Sequence, residues 1–431
     1  MEKMRSGKGP SHNPTGLKST FRALSHRNYR LFFVGQGISL IGTWMQQIAM
    51  SWLVYDLTHS AFMLGLIGFM GSISTFILAP LAGVWADRWP LRKALVVTQI
   101  LAMVQALILA FLTLEGLITI PHLLVLSVVL GLVNAFDMPI RQSFVVEMVE
   151  KKEDLGNAIA LNSSLVNSAR LFGPAIAGIL IAVVGEGICF LLNGLSYLAV
   201  IASLLAMKIP PLPKKKQTIR VWQGLKDGFS YTFGFPPIRS ILLLLALVSL
   251  MGMPYTTLMP VFAKDILHGG PHTLGFLVGC SGVGALAGAV YLASRKSVLG
   301  LGRIMVMASS VFGMGLIAFS LSRISWLSFG LMVLTGFGMM VQMTSSNTVI
   351  QTIVEDNKRG RVMSFYSMAI RGMTPFGSLL AGSMASHFGA PTTLLFGGAV
   401  CISGALLFAR RLPSLRAIGR PIYIKKEIIK E

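Results

Sequence analysis

The sequence predicts an all-α membrane protein of about twelve transmembrane helices, arranged as two pseudo-symmetric six-helix bundles. Three observations lead there. Of 431 residues, 54% are hydrophobic and only 12% charged, and a soluble domain of ordinary composition carries about twice that charge. Apolar stretches of roughly 20 residues recur along the whole length, each able to cross about 30 Å of hydrocarbon as a helix. The two halves of the chain also repeat one another's landmarks in the same order.

The spans fall at roughly 31–55, 61–84, 94–115, 121–144, 157–183, 187–207, 239–262, 272–294, 303–321, 326–349, 362–385 and 391–409. Several contain Gly and Pro, which membrane helices tolerate better than soluble ones do. The long connection opens with Pro210, Pro211 and Pro213 and closes with Pro236 and Pro237. The expected organisation is a polar N-terminal tail (1–30), a first bundle (31–207), a central loop (208–238), a second bundle (239–409) and a basic C-terminal tail (410–431). No N-terminal signal peptide is visible, and 1–29 reads as a cytoplasmic tail.

The net charge of +21 has a topological cause, so no nucleic-acid partner is expected. Basic residues gather in the tails, in the central loop (Lys208, Lys214, Lys215, Lys216, Arg220, Lys226) and in the even-to-odd loops (Arg88, Arg92, Lys93, Lys151, Lys152, Arg295, Lys358, Arg359). The opposite loops carry only Lys264 and Arg323, beside Asp56, Glu115, Glu186 and Asp265. Positive-inside bias therefore puts both termini in the cytoplasm, and membrane lipid is an expected contact.

The repeat has an offset of about 204–210 residues. Ser39-Leu40-Ile41-Gly42 matches Ser249-Leu250-Met251-Gly252, and Leu64-Gly65 matches Leu274-Gly275. Gly173 matches Gly377, Ala177-Gly178 matches Ala381-Gly382, and Gly185 matches Gly389. Secondary transporters are commonly built from such duplicated units.

The loop after span two reads Gly83-Val84-Trp85-Ala86-Asp87-Arg88-Trp89-Pro90-Leu91-Arg92-Lys93. Glycine, then an acid, then paired bases is more than a turn requires. With the two six-helix halves and the central loop, it resembles the signature of the major facilitator superfamily, and the resemblance covers essentially the whole chain. Pro90 departs from the usual small residue before the basic pair, and the second half keeps only Ala293 and Arg295 of the motif. Gly173-Pro174-Ala175-Ile176-Ala177-Gly178 resembles the fifth-helix motif of the family's exporters. Asn134-Ala135-Phe136-Asp137-Met138-Pro139 and Asn157-Ala158-Ile159-Ala160-Leu161-Asn162-Ser163 are similar to the branch containing the enterobactin exporter and drug efflux proteins.

The resemblance implies a secondary active transporter of the bacterial inner membrane, a monomer that exports a small amphipathic molecule, siderophore or drug, by alternating access with proton antiport. A lysophospholipid transporter or another facilitator without proton coupling is an alternative, and a non-transporting membrane sensor is one of another class. Gly83, Asp87, Arg88, Arg92 and Lys93 would form a conformational latch. In it, Asp87 would meet the N-terminus of span eleven near Gly360, and Arg92 would pair with Asp137 or Glu147. Gly173, Pro174 and Gly178 allow a bend and a close helix approach, with Gly284 and Gly288 as a candidate facing surface.

Few charges lie within spans, and such charges face a cavity or a partner. Arg170 and Arg371 are the deeper two, suited to an anionic or carbonyl-rich substrate; alternatively each is neutralised internally, Arg170 for example by Asp137. Asp137 is the candidate proton carrier, with Arg141 one turn away as its partner. Gln46, Gln47, Asn162, Tyr255 and Gln342 complete the candidate substrate lining.

Other classes are disfavoured. Gly-x-x-x-x-Gly-Lys-Ser/Thr is absent, so no direct ATP drive is expected. His-Glu-x-x-His and Gly-x-Ser-x-Gly are absent too. Cys189, Cys280 and Cys401 lie singly in apolar runs, so neither enzyme chemistry, nor a metal, nor a cofactor is expected.

Overall fold

A computed structural model describes the backbone of residues 21–86, 89–149, 151–208, 221–295, 297–355 and 358–426; the side chains of 79–86, 152, 221–227 and 425 are outside that description. The first half consists of α1 (Arg27–Thr58), α2 (Ala61–Ala86), α3 (Leu91–Leu114), α4 (Ile120–Met148), α5 (Leu155–Val184) and α6 (Glu186–Ala206). After α7 (Val221–Gly234), the second half has α8 (Pro236–Met251), which continues through α9 (Tyr255–Val261) and a π-helical turn, Phe262–Ile266. Then come α10 (Pro271–Ala293), α11 (Leu301–Leu321) and α12 (Ser325–Ile353). The next span is α13 (Arg359–Ser367) joined to α14 (Met373–Phe388) by a π-helical turn, Met368–Gly372, and α15 (Ala390–Lys425) ends the fold.

Among the described residues, ten of these segments are long and apolar enough to cross a membrane. The other two of the twelve spans are α1 and the α13–α14 segment. α1 buries Gln36 and Gln46 among its apolar residues, and α13–α14 carries Arg361 and Arg371. Polarity there reflects an inward-facing side rather than an absent span.

The repeat read from the sequence reappears as geometry. α1 and the α8–α9 span both end on a histidine in the left-handed region, His59 (φ 46°) and His268 (φ 50°). α5 and α14 both end on a left-handed glycine, Gly185 (φ 81°) and Gly389 (φ 83°). Each amide closes its helix by donating to the carbonyl four residues back, of Ile181 and Ala385. A left-handed residue there ends the helix and redirects the chain into its neighbour. Prolines stand in the first turns of α4, α8, α10 and α15, where the missing N–H has no intrahelical partner to lose.

Each bundle is held by buried apolar side chains and by short polar links. In the first half, Asn193 Nδ2 donates to Gln46 Oε1 (2.7 Å), Gln46 Nε2 to Gln105 Oε1 (3.1 Å) and Gln105 Nε2 to the Leu126 carbonyl (3.3 Å). This chain ties α6, α1, α3 and α4 together. Polar groups in a bilayer are satisfied within the protein, so such a chain fixes how the helices pack.

Two departures from the sequence expectation concern the face that carries both ends of the described chain, near Arg22 and Lys426. The central connection, expected as a loop, contains α7, whose Phe229 ring stacks edge-on against Phe365 of α13 at 6.1 Å. The expected basic tail continues α15 to Lys425, despite Pro413 and Pro421. Lys426 Nζ donates to the carbonyls of Thr352 (2.8 Å) and Val354 (3.4 Å), capping the carboxyl end of α12 and pinning the extension.

At the same face, the short helix Arg22–Ser25 is strapped over the start of α5. His26 Nε2 and Asp154 Oδ2 are 2.8 Å apart, Arg22 pairs with Asp154 Oδ1, and the Ala23 amide donates to Asn157 Oδ1 (2.9 Å). The hydrogen bond with His26, aided by Arg22, holds the Asp154 carboxyl below the usual carboxylate range against the opposing effect of burial. A depressed carboxyl stabilises the fold above its unfolded pKa, and that contribution disappears as pH falls through the folded value. Asp154→Asn should therefore lower the melting temperature at pH 7 and flatten its decline between pH 5 and 3, as measured by scanning fluorimetry in detergent. An unchanged acid profile would contradict this role.

Candidate functional site

Two seams join the halves, α2 against α14 and α5 against α10. Both are glycine contacts. A Cβ on Gly65 would stand 2.5 Å from the Ser378 carbonyl oxygen and 2.9 Å from Gly382 Cα. One on Gly178 would stand 2.7 Å from the Pro271 carbonyl oxygen and 3.0 Å from Gly275 Cα. Only a residue without a side chain allows backbones this close. The pairs Gly65–Gly382 and Gly275–Gly178 exchange under the internal repeat, so one contact is made twice.

Both seams lie toward the face opposite the chain ends. There α1 also meets the α8–α9 span: Lys264 Nζ contacts Asp56 Oδ1 at 2.5 Å and sits 5.8 Å over the Trp52 ring, and Tyr55 Oη donates to Asp265 Oδ2. Phe76 packs edge-on against Phe376 at 5.5 Å, nearer mid-depth. On the side of the chain ends, Gln142, Ser163, Ser164, Ser364, Ser367 and Arg371 are exposed.

At mid-depth, α4 carries a buried polar cluster. Asp137 is 3% exposed. It accepts hydrogen bonds from Thr98 Oγ1 (2.9 Å) and Gln99 Nε2 (2.7 Å) of α3 and pairs with Arg141 Nη2 at 2.9 Å. Arg371 enters from the other half, carried by the π turn between α13 and α14. Such turns shift the helical register and recur at functional positions. Arg371 Nη1 lies 2.8 Å from Met138 Sδ and within electrostatic reach of Arg141. It has no carboxylate partner among the described residues. A paired acid and base in one half thus face an uncompensated guanidinium in the other.

The remaining expectations divide. Asp87 and Arg88 lie outside the described residues; Gly83 lies in the last turns of α2, but its surroundings do not belong to the description. Lys93 is exposed, and Arg92 pairs with neither Asp137 nor Glu147. Its Nη2 donates to the Leu205 carbonyl (2.7 Å), answering an orphan carbonyl and the negative end of α6. Gly284 and Gly288 do not face the Gly173–Gly178 stretch: they pack on Val333, Phe337 and Val341 of α12. Gly173 itself meets Trp44 of α1.

Gln46, Tyr255 and Gln342 are buried inside their own bundles, Tyr255 bonding Ser281 (2.7 Å) and Gln342 contacting Ser346 (3.4 Å). Gln47 is exposed and Asn162 half-buried. Arg170 is half-buried without a hydrogen bond or ion pair among the described residues, so Asp137 does not neutralise it. Sequence reasoning missed Thr98 and Gln99, which are adjacent polar residues within an apolar stretch of α3, and Tyr55 at the opposite face.

Twelve spans in two related bundles, joined by paired glycine seams around a charged mid-depth cluster, define a transporter of the major facilitator fold. The family model described as transmembrane secretion effector matches residues 18–421, and the chain belongs to that family. It is 27% identical over 392 residues to the staphyloferrin A transporter of Staphylococcus aureus, covering 90% of this chain and 97% of that protein. It is 22% identical over 402 residues to macrolide efflux protein A of Streptococcus pyogenes, covering 89% and 96%. Among solved structures it is similar to a bacterial homologue of the lysosomal transporter Spinster (TM-score 0.68, 13% identity, 93% and 98% covered). It is likewise similar to the nucleoside transporter NupG (TM-score 0.68, 14% identity, 90% and 99% covered).

Proposed function

We propose that this chain is a proton-coupled exporter of a small anionic or amphipathic molecule, of siderophore or drug type, working by alternating access. The observation that carries the reading is Arg371, brought by the second half beside the Asp137–Arg141 pair of the first. An unpaired guanidinium at membrane depth is costly and calls for an anionic or carbonyl-bearing ligand. The relatives named for staphyloferrin A transport and macrolide efflux support a small-molecule substrate and the outward direction.

The distribution of Lys and Arg supports cytoplasmic chain ends and a location in the bacterial inner membrane. On that orientation, the glycine seams close the extracytoplasmic side and the exposed polar residues face the cytoplasm. Arg371 and Arg141 hold the substrate, with Arg170, Gln47 and Asn162 contributing from the same interface. Asp137 is the group that exchanges the proton, with Arg141 one turn away as its switchable partner and as the contact for the anion. Asp87, Arg88 and Arg92 act at the cytoplasmic seam in the opposite state.

The test is pH-gradient-driven uptake into inside-out proteoliposomes with a panel of carboxylate siderophores and macrolides. Arg371→Gln should raise KM for the anionic substrates about 10- to 100-fold, the value of one charge-assisted hydrogen bond, with Arg371→Lys partly restoring it. Equal loss for neutral and anionic substrates would exclude the anion-binding role.

A further inference from the structure

We propose that the second bundle holds an anionic phospholipid of the cytoplasmic leaflet in a cavity of its own, separate from the interface between the halves. The cavity has a volume of about 410 Å³, within the range of about 300–1,000 Å³ common for ligand sites. Its floor is apolar: Ile241 of α8, Met305 of α11, Ile353 of α12 and Phe408 of α15. Its rim is basic, with Arg303 at the start of α11 and Arg416 and Arg420 on the extension of α15. All three arginines are exposed, and none has an ion pair or a hydrogen bond among the described residues.

No carboxylate lines this cavity among the described residues. Three unneutralised guanidiniums above an apolar floor match an acidic headgroup above an acyl chain. Basic pockets between membrane helices at the cytoplasmic side take such headgroups by the same complementarity. The cavity is bounded by a deliberate element, since the α15 extension crosses it and is pinned beyond it by Lys426 on the end of α12. A free phosphate would use the rim alone and leave the floor empty, so the shape favours lipid. The choice of leaflet rests on the orientation proposed above; the binding measurement does not depend on transport.

The test is native mass spectrometry of the full chain in detergent, titrated with phosphatidylglycerol, phosphatidylcholine or inorganic phosphate. Phosphatidylglycerol should be retained in preference to phosphatidylcholine, and inorganic phosphate should not displace it. The triple variant Arg303→Gln, Arg416→Gln, Arg420→Gln should weaken phosphatidylglycerol binding about tenfold or more, as each basic group near the headgroup contributes comparably. A control triple, Arg27→Gln, Arg30→Gln, Arg411→Gln, removes the same charge outside the cavity and should leave binding unchanged. Ile241→Trp fills the floor with the rim intact and should also weaken binding, which keeps the test decisive if the triple variant does not fold. Equal loss in both triple variants, unaltered binding in Ile241→Trp, or displacement by inorganic phosphate would each overturn the proposal.

Discussion

Gly65→Val and Gly178→Val are each expected to drive the transporter toward the conformation opened at the face away from the chain ends. At both positions a Cβ meets backbone rather than a yielding side chain, so the neighbour has no rotamer with which to move aside. Overpacking of this kind costs about 1–3 kcal/mol, and it applies only while the seam is closed. The equilibrium between states should therefore shift by about 5- to 150-fold. Nitroxide labels at Leu117 and Ile324, both exposed and in different halves, should show the longer of two distances by pulsed electron resonance. Distances identical to those of the parent would mean that the seams do not govern closure. Gly284→Val is the informative control: it strains the packing of α10 on α12 within one bundle, and should lower stability without moving that distance.

Asp137→Asn should reduce pH-driven flux to background while substrate binding survives. The asparagine keeps an oxygen for Thr98 and Gln99 but cannot exchange a proton, and it releases Arg141 from its ion pair. Freed of its carboxylate, Arg141 should bind an anionic substrate at least as tightly as before. Asp137→Ala is less informative, since removing one partner of a buried pair costs about 3–5 kcal/mol and would confound transport with folding. Retained flux with the parent's pH dependence in Asp137→Asn would end the coupling role, whatever the substrate proves to be.

Much of this architecture is legible in the sequence. Span positions follow from runs of apolar residues, because a bilayer enforces length and polarity strictly. Matches such as Leu64-Gly65 with Leu274-Gly275, weak individually, identify residues that meet across the seams. What the repeat does not specify is which glycine touches which. Gly284 and Gly288 have the same spacing and composition as a seam, yet they serve packing inside one bundle. Helical periodicity gives the facing direction within a helix and says nothing about the neighbour.

The charged residues divide similarly. Asp137 and Arg141 are one turn apart on one helix, so their pairing is local and readable. Arg92 finding the end of α6, or Arg371 reaching Met138, depends on contacts between residues 113 and 233 positions apart in the chain. The amides are ambiguous for a different reason: Gln46 and Gln342 are polar residues within spans, and hydrogen bonding inside a bundle is as good a use for them as lining a cavity. Continuation of α15 past Pro413 was hidden because proline marks a break only where nothing else supports the helix, and Lys426 anchors this one.

The glycine seams also bear on speed. Where backbone rests on backbone, parting the surfaces requires no side chain to leave one well and find another. The carbonyls of Ser378 and Pro271, covered by the facing glycines in the closed seams, can be hydrated as soon as water enters. Under the proposed alternating access, opening would then be limited by the swing of the two bundles and by drag from the lipid around them, and little by local rearrangement. A seam of interlocking leucines would hold equally well and let go slowly; a glycine seam suits a contact that alternating access, as proposed, would remake at every turnover.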